Sequence, residues 1–160
     1  MCREETRGPG LVGRSSSLFP VASFESDGKL EGLIPIHRII VCALCRDPAT
    51  GVRTGEGLCA DLRSRFSAHD DLDMARGFAV EEVACMAGCD RPLTVAFQAE
   101  GKAAYLFGSI DVGTDVDGLV EFAKLYHSLA DGWSNSGQRP AGLAGKTLAR
   151  IPASPIRRIP

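Results

Sequence analysis

The chain has 160 residues, a formal net charge of −2 and 44% apolar residues, enough for one domain of ordinary size plus tails and for a single buried core. No run of Lys or Arg supplies the basic stripe that displaces counterions from phosphates, which excludes a general nucleic-acid binder. No stretch approaches the roughly 18 apolar residues of a membrane span, and the start, where Arg3 precedes Glu4, Glu5 and a Gly- and Ser-rich stretch, lacks the apolar region of a secretory signal.

The chain therefore reads as cytoplasmic. Thiols are kept reduced there, and clustered cysteines are read as metal-binding or catalytic before they are read as disulfides.

Residues 1–34 are rich in Gly, Ser and Arg without periodicity and read as a disordered tail, which contains Cys2. The ordered domain is expected over 35–132, followed by a Pro/Gly-rich strap over 133–160. Ile36 to Val41 is a short β-branched run suited to a buried strand, and it ends at Cys42-Ala43-Leu44-Cys45. Pro48, Gly51 and Gly55 make the next stretch a loop. A helix is expected from about Glu56 to Ser67, with Leu58, Leu62 and Phe66 on one face. Ala68 to Gly77 is polar and reads as a connection.

Phe78 to Ala84 is predicted as the second strand, running into Cys85-Met86-Ala87-Gly88-Cys89. Leu93 to Gln98 and Ala103 to Phe107 form a hairpin around Ala99-Glu100-Gly101-Lys102. Thr114-Asp115-Val116-Asp117 reads as a capping box. The helix that follows carries Val116, Leu119, Val120, Ala123, Tyr126 and Leu129 as its apolar stripe. Trp133, Leu143, Leu148 and Ile151 are expected to fasten the strap.

The order β-α-β-β-β-α predicts an α/β fold with a mixed four-stranded sheet flanked by helices. A strand, a crossover helix and a second strand pair in parallel, so the first two strands end at the same sheet edge. Both cysteine pairs follow those ends.

Four of the six cysteines fall as C-x2-C and C-x3-C among small residues. Cys42, Cys45, Cys85 and Cys89 are thus the candidate metal ligands. Three chemistries compete: a 2Fe-2S cluster, which needs four thiolates; zinc held by the same four sulfurs; and a dithiol–disulfide site of Cys42 and Cys45, a C-x-x-C after a strand with Pro92 before the third strand. The last leaves Cys85 and Cys89 unused. Cys59 reads as a packing residue, His37 as a structural histidine, and His69 and His127 as solvated. Arg46 and Arg91 flank the pairs and could stabilise a reduced, negative centre as readily as make surface contacts. Asp111, Asp115, Asp117 and Glu121 read mainly as helix-dipole placement, with a docking patch for a basic partner as the minor alternative. No catalytic triad, phosphate loop or dinucleotide motif occurs, so no independent enzymatic activity is expected.

From Ile40 to about Leu129 the chain resembles the thioredoxin-like 2Fe-2S ferredoxins, a group that includes the small peripheral subunit of NADH dehydrogenase. More closely, residues 37–153 resemble a bacterial family of unknown function described as predicted metal-binding proteins. The match is carried by Val41-Cys42-Ala43-Leu44-Cys45-Arg46, Cys85-Met86-Ala87-Gly88-Cys89-Asp90-Arg91, Tyr105-Leu106-Phe107-Gly108 and Leu148-Ala149-Arg150-Ile151-Pro152. The resemblance implies a thioredoxin-like fold and an electron-carrying module that meets a reductase and an acceptor enzyme; homodimers are common in this fold. It departs in one feature. Many of these ferredoxins separate their first two cysteines by more than two residues, so the C-x2-C here leaves the zinc and thiol readings open.

Overall fold

The computed structural model describes residues 37–153; the expected tail, Cys2 and the last residues of the strap lie outside them. The elements run β1 (His37–Cys42), α1 (Gly55–Ser67), α2 (Leu72–Gly77), β2 (Phe78–Val83), β3 (Val95–Gln98), β4 (Ala104–Phe107), α3 (Val116–Ser128), a 3-10 turn (Ala141–Leu143) and β5 (Thr147–Ile151). They build one sheet in the order β2-β1-β3-β4-β5. β1 and β2 are parallel, and the other neighbours are antiparallel. This is the expected thioredoxin-like arrangement with one strand more. Thr147–Ile151, expected only as strap, pairs with β4.

Period-two alternation decides which side chains meet the helices. Ile39 and Val41 of β1, Val95 and Phe97 of β3, and Tyr105 and Phe107 of β4 are buried, whereas Ile40, Ala96 and Leu106 between them are partly exposed. On the buried face α1 contributes Leu58, Leu62 and Phe66, as its four-residue spacing predicts. α3 contributes Val116, Leu119, Phe122, Ala123 and Tyr126. Phe122 is the centre of that stripe, standing edge-on to Phe97, Tyr105 and Phe107 with ring centroids 4.9, 5.1 and 4.9 Å away, a favoured aromatic geometry.

Three local expectations are corrected. The polar connection after α1 holds a helix of its own, α2, because Asp71 caps it by accepting from the amides of Asp73 and Met74 and buried Met74 anchors it. The capping box at α3 does not form. Thr114 is drawn back to Asp111 Oδ1, and the Asp115 carboxylate is buried, accepting from the Asp111 amide and from Lys146. In the strap, Leu143 is buried as expected, but Trp133 and Ile151 are exposed.

Edge strand β2 carries charge at its rim, with Glu81 paired to Arg38 and Glu82 to Arg63, a common guard against edge-to-edge association. Among the described residues no helix is long and apolar enough to cross a membrane.

Candidate metal centre

The parallel register sets the geometry of the cysteine edge. His37 lies opposite Phe78 and Cys42 opposite Val83, so the two strands finish level and each releases its cysteine loop at the same place. The Ala43 amide continues the ladder by donating to Val83 O at 2.8 Å.

The first loop buries both of its thiols. Cys42 is 2% and Cys45 6% exposed. The following hairpin is tied by Asp47, whose carboxylate accepts from the amides of Ala49 and Thr50 and from the Thr50 hydroxyl; the Thr50 contacts hold the Asp47 carboxyl below the usual range. α1 then starts directly against the loop. A Cβ at Gly55 would stand 2.3 Å from Cys42 O and 3.1 Å from Ala43 Cα, and backbone atoms cannot yield that space. Glycine at position 55 is therefore what lets the helix approach the first cysteine.

The second loop is open, with Cys85 and Cys89 exposed. It has internal order nonetheless. Ala87 takes a left-handed φ of 56°, and its amide donates to Cys85 Sγ at 3.3 Å. Gly88 is wedged on Thr94, whose Cγ2 would lie 2.3 Å from an added Cβ. Arg91 donates from its own amide to Gly88 O, from Nε to Ser109 Oγ and from Nη2 to Gly145 O.

Thr94, a residue without a candidate role in the sequence, touches both loops. Fully buried, it accepts the Cys42 amide on its carbonyl at 3.1 Å. Its hydroxyl lies 3.7 Å from Cys45 Sγ, and its methyl supports Gly88. Its place two residues after Pro92, at the start of the strand predicted from Leu93, is the one signal the sequence offers.

The two loops border one cavity and influence each other's charge. Cys45 and Cys89 line one cavity of about 230 Å³ together with Leu44, Arg46 and Pro92. Burial raises the Cys42 thiol, but hydrogen bonds from Cys45 and from the amides of Leu44, Met86 and Cys45 more than offset it, so Cys42 ionises more readily than usual. Met86 belongs to the second loop. Cys45 moves the other way, raised by burial and by its bond to Cys42. Cys89 is raised first by the negative charge of Cys85 and also by that of Cys42.

The five described cysteines are all free thiols. Four of them supply the soft donors that iron–sulfur clusters and zinc prefer, and the Ala87 amide on Cys85 Sγ is the kind of contact a bound thiolate uses. The donor set thus fits a thiolate-ligated centre. Among the described residues, no three His, Cys, Asp or Glu side chains stand close enough together to hold a metal ion.

The remaining candidates separate. Cys59 is fully buried on α1 and raised to about 11, first by burial, so it packs as expected. His37 is buried and bonds Gly77 O through Nδ1 at 3.2 Å. His69 and His127 are not simply solvated. His69 Nδ1 accepts the Asp71 amide, and the His127 ring lies 5.0 Å from that of His37. Arg46 bonds Gly51 O and Arg91 the two partners above, so both serve loop structure. Asp115 and Asp117 are ion-paired, to Lys146 and Arg65.

A family model described as "Protein of unknown function (DUF1636)" matches residues 39–153. No curated protein matches the chain. Among solved structures the chain is similar to a thioredoxin-like [2Fe-2S] ferredoxin from Aquifex aeolicus, at 17% identity and a TM-score of 0.48, over 72% of this chain and 92% of that one. It is also similar to a structure of the wild-type thioredoxin-like [2Fe-2S] ferredoxin from Aquifex aeolicus, at 18% identity and a TM-score of 0.35, over 54% of this chain and 82% of that one.

Proposed function

The chain belongs to the DUF1636 family, and from the chemistry of its sheet edge we propose that it is an iron–sulfur protein in which Cys42, Cys45, Cys85 and Cys89 hold one 2Fe-2S cluster. In this reading it passes single electrons between a reductase and an acceptor enzyme in a reducing, cytoplasmic setting. The observation that carries the reading is the meeting of two sequence-distant thiol pairs at the level ends of β1 and β2, with Cys45 and Cys89 lining one cavity.

A bound 2Fe-2S cluster supplies a one-electron couple whose potential responds to hydrogen bonds on its sulfurs, to net charge and to exposure. The chain's part is to hold and insulate. The buried first loop fixes two thiols in advance. The exposed second loop presents the other two at the surface. The Met86 and Ala87 amides and the Thr94 hydroxyl can donate to sulfur, while Leu44 and Pro92 limit water at the rim.

Protein purified without air should be brown-red, contain about two irons and two sulfides per chain, and give an electron paramagnetic resonance signal on reduction. Colourless protein holding one zinc and no sulfide would replace the cluster by a zinc site on the same ligands.

The hydrogen bond shared by Cys42 and Cys45 in a C-x-x-C at the end of β1 favours a second reading as a thiol–disulfide oxidoreductase working through that dithiol. That reading requires insulin-disulfide reduction that is lost in Cys42→Ser and kept in Cys89→Ser.

A further inference from the structure

We propose that the cleft between the Trp133 segment and β5 is a binding site for a small oxyanion, phosphate or carboxylate, gripped by Arg139 and Arg150. The cleft measures about 390 Å³ and is lined by Trp133, Asn135, Ser136, Arg139, Thr147 and Arg150. That is the size of a small-molecule site. It is built from the Leu148-Ala149-Arg150-Ile151-Pro152 motif and the segment before it, and it owes nothing to the cysteine chemistry.

Both guanidiniums are held in place. Arg150 lies over the Trp133 ring with Cζ 3.5 Å from its centroid, and Nη1 donates to Ser134 O at 2.6 Å. Arg139 donates through Nη1 to the Thr147 hydroxyl. Each bond uses one of the five N–H donors that a guanidinium carries. The planes are fixed in advance while most donors stay available, so little rotamer freedom remains to be lost when an anion docks.

Charge points to the ligand class. In a chain of net charge −2, two permanent cations converge on a cleft with no carboxylate in its lining. Among the described residues neither arginine is ion-paired. The nearest acid along the chain, Asp131, accepts the Trp133 amide and lends its charge to Lys102. Two unneutralised like charges repel, and an oxyanion between them removes that cost while accepting the fork-like hydrogen bonds that guanidinium offers. Asn135, Ser136 and Thr147 add neutral polar groups, and Trp133, 43% exposed, gives the cleft a flat apolar wall.

Trp133 is the single tryptophan of the chain, so its fluorescence reports on this cleft directly. The full-length protein, carrying whatever metal it is purified with, is titrated with inorganic phosphate and separately with citrate, at ionic strength held constant by potassium chloride. Calorimetry runs in parallel. A saturable change with either anion is expected, and Arg139→Gln should weaken it at least about tenfold, the loss of one charge-assisted hydrogen bond. Arg139→Lys, which keeps the charge but not the fork, should fall between. A phosphate-only response assigns phosphoryl ligands and a citrate-only response carboxylates. The proposal is overturned if neither anion gives a saturable signal by either method, or if the folded Arg139→Lys and Arg139→Gln proteins both bind like the parent; should Arg139→Gln not fold, Arg139→Lys decides alone.

Discussion

The two cysteine loops at the ends of β1 and β2 are chemically alike and physically opposite. Cys42 and Cys45 are buried, roofed by the start of α1 and bonded to Thr94, whereas Cys85 and Cys89 stand in solvent on a loop ordered mainly by its own amides and Gly88. The buried pair loses little freedom when it takes up a metal. The exposed side chains have more rotamer freedom to lose, so their contribution comes with a larger conformational cost. The difference assigns the first loop to positioning and the second to closure and access.

The contrast is tested most severely by removing sulfur. Cys42→Ser and Cys85→Ser should each lose most bound metal, measured as iron, zinc and sulfide per chain, while Cys59→Ser keeps the parent content. Retention of a full complement by Cys85→Ser would detach the open loop from the centre. The two variants should differ in a second measurement. Cys42→Ser should also lower the unfolding free energy of the metal-free chain in urea, because it changes a buried contact, whereas Cys85→Ser should leave it within about 0.5 kcal/mol of the parent, as surface changes usually do.

Next in size is the roof over the first loop. Gly55→Ala should destabilise the chain by about 1–3 kcal/mol in urea denaturation, the usual cost of overpacking, because its Cβ meets the Cys42 carbonyl. Gly57→Ala, on the same helix with nothing within 4 Å, should instead stabilise by roughly 0.5–1 kcal/mol. Equal effects at the two positions would mean that α1 does not hold the loop.

Thr94→Val should lower the midpoint potential of the metal-loaded protein by no more than roughly 40 mV, the equivalent of one hydrogen bond of ~1 kcal/mol, with metal content unchanged. Thr94→Ser should restore it. An identical potential in Val and Ser variants would leave Thr94 with a packing role only.

The smallest effect concerns the far end of β1, away from both loops. Burial, aided by Lys102 and His127 and opposed by the Gly77 bond, holds the His37 imidazole below its ordinary 6.5. The unfolded chain therefore binds a proton first as pH falls, so the contribution of His37 to stability is whole above pH 6.5 and is lost as pH drops through the folded value. Urea midpoints between pH 7.5 and 5 should show this decline, and His37→Asn, whose amide can still donate to Gly77 O, should flatten it. Metal content at fixed stability should not follow the same curve.

Much of this was legible from residue order. The β-branched run before Cys42, the four-residue spacing of Leu58, Leu62 and Phe66, and the alternation of Val95 and Phe97 each report a local period that the backbone obeys. What escaped depended on partners far along the chain. α2 lies in a stretch whose polar residues hid the Asp71 cap, and the expected Thr114 capping box gave way because Asp111 holds the Thr114 hydroxyl and Arg65, on a different helix, claims Asp117. β5 reads as irregular until β4 offers it a ladder. Phe122, which centres the aromatic cluster, lies outside the expected stripe of Val116, Leu119, Val120, Ala123, Tyr126 and Leu129, because its partners Phe97, Tyr105 and Phe107 come from strands β3 and β4.

The amino-acid order alone determined that two thiol pairs follow two strands, and a parallel βαβ connection obliges such strand ends to share an edge. Only the tertiary structure decided that one pair would be covered and the other left open, that Thr94 would touch both loops, and that Arg139 and Arg150 would face one cleft. Periodicity is a property of neighbouring residues, whereas burial and convergent contacts are set by segments that meet only when the whole core closes.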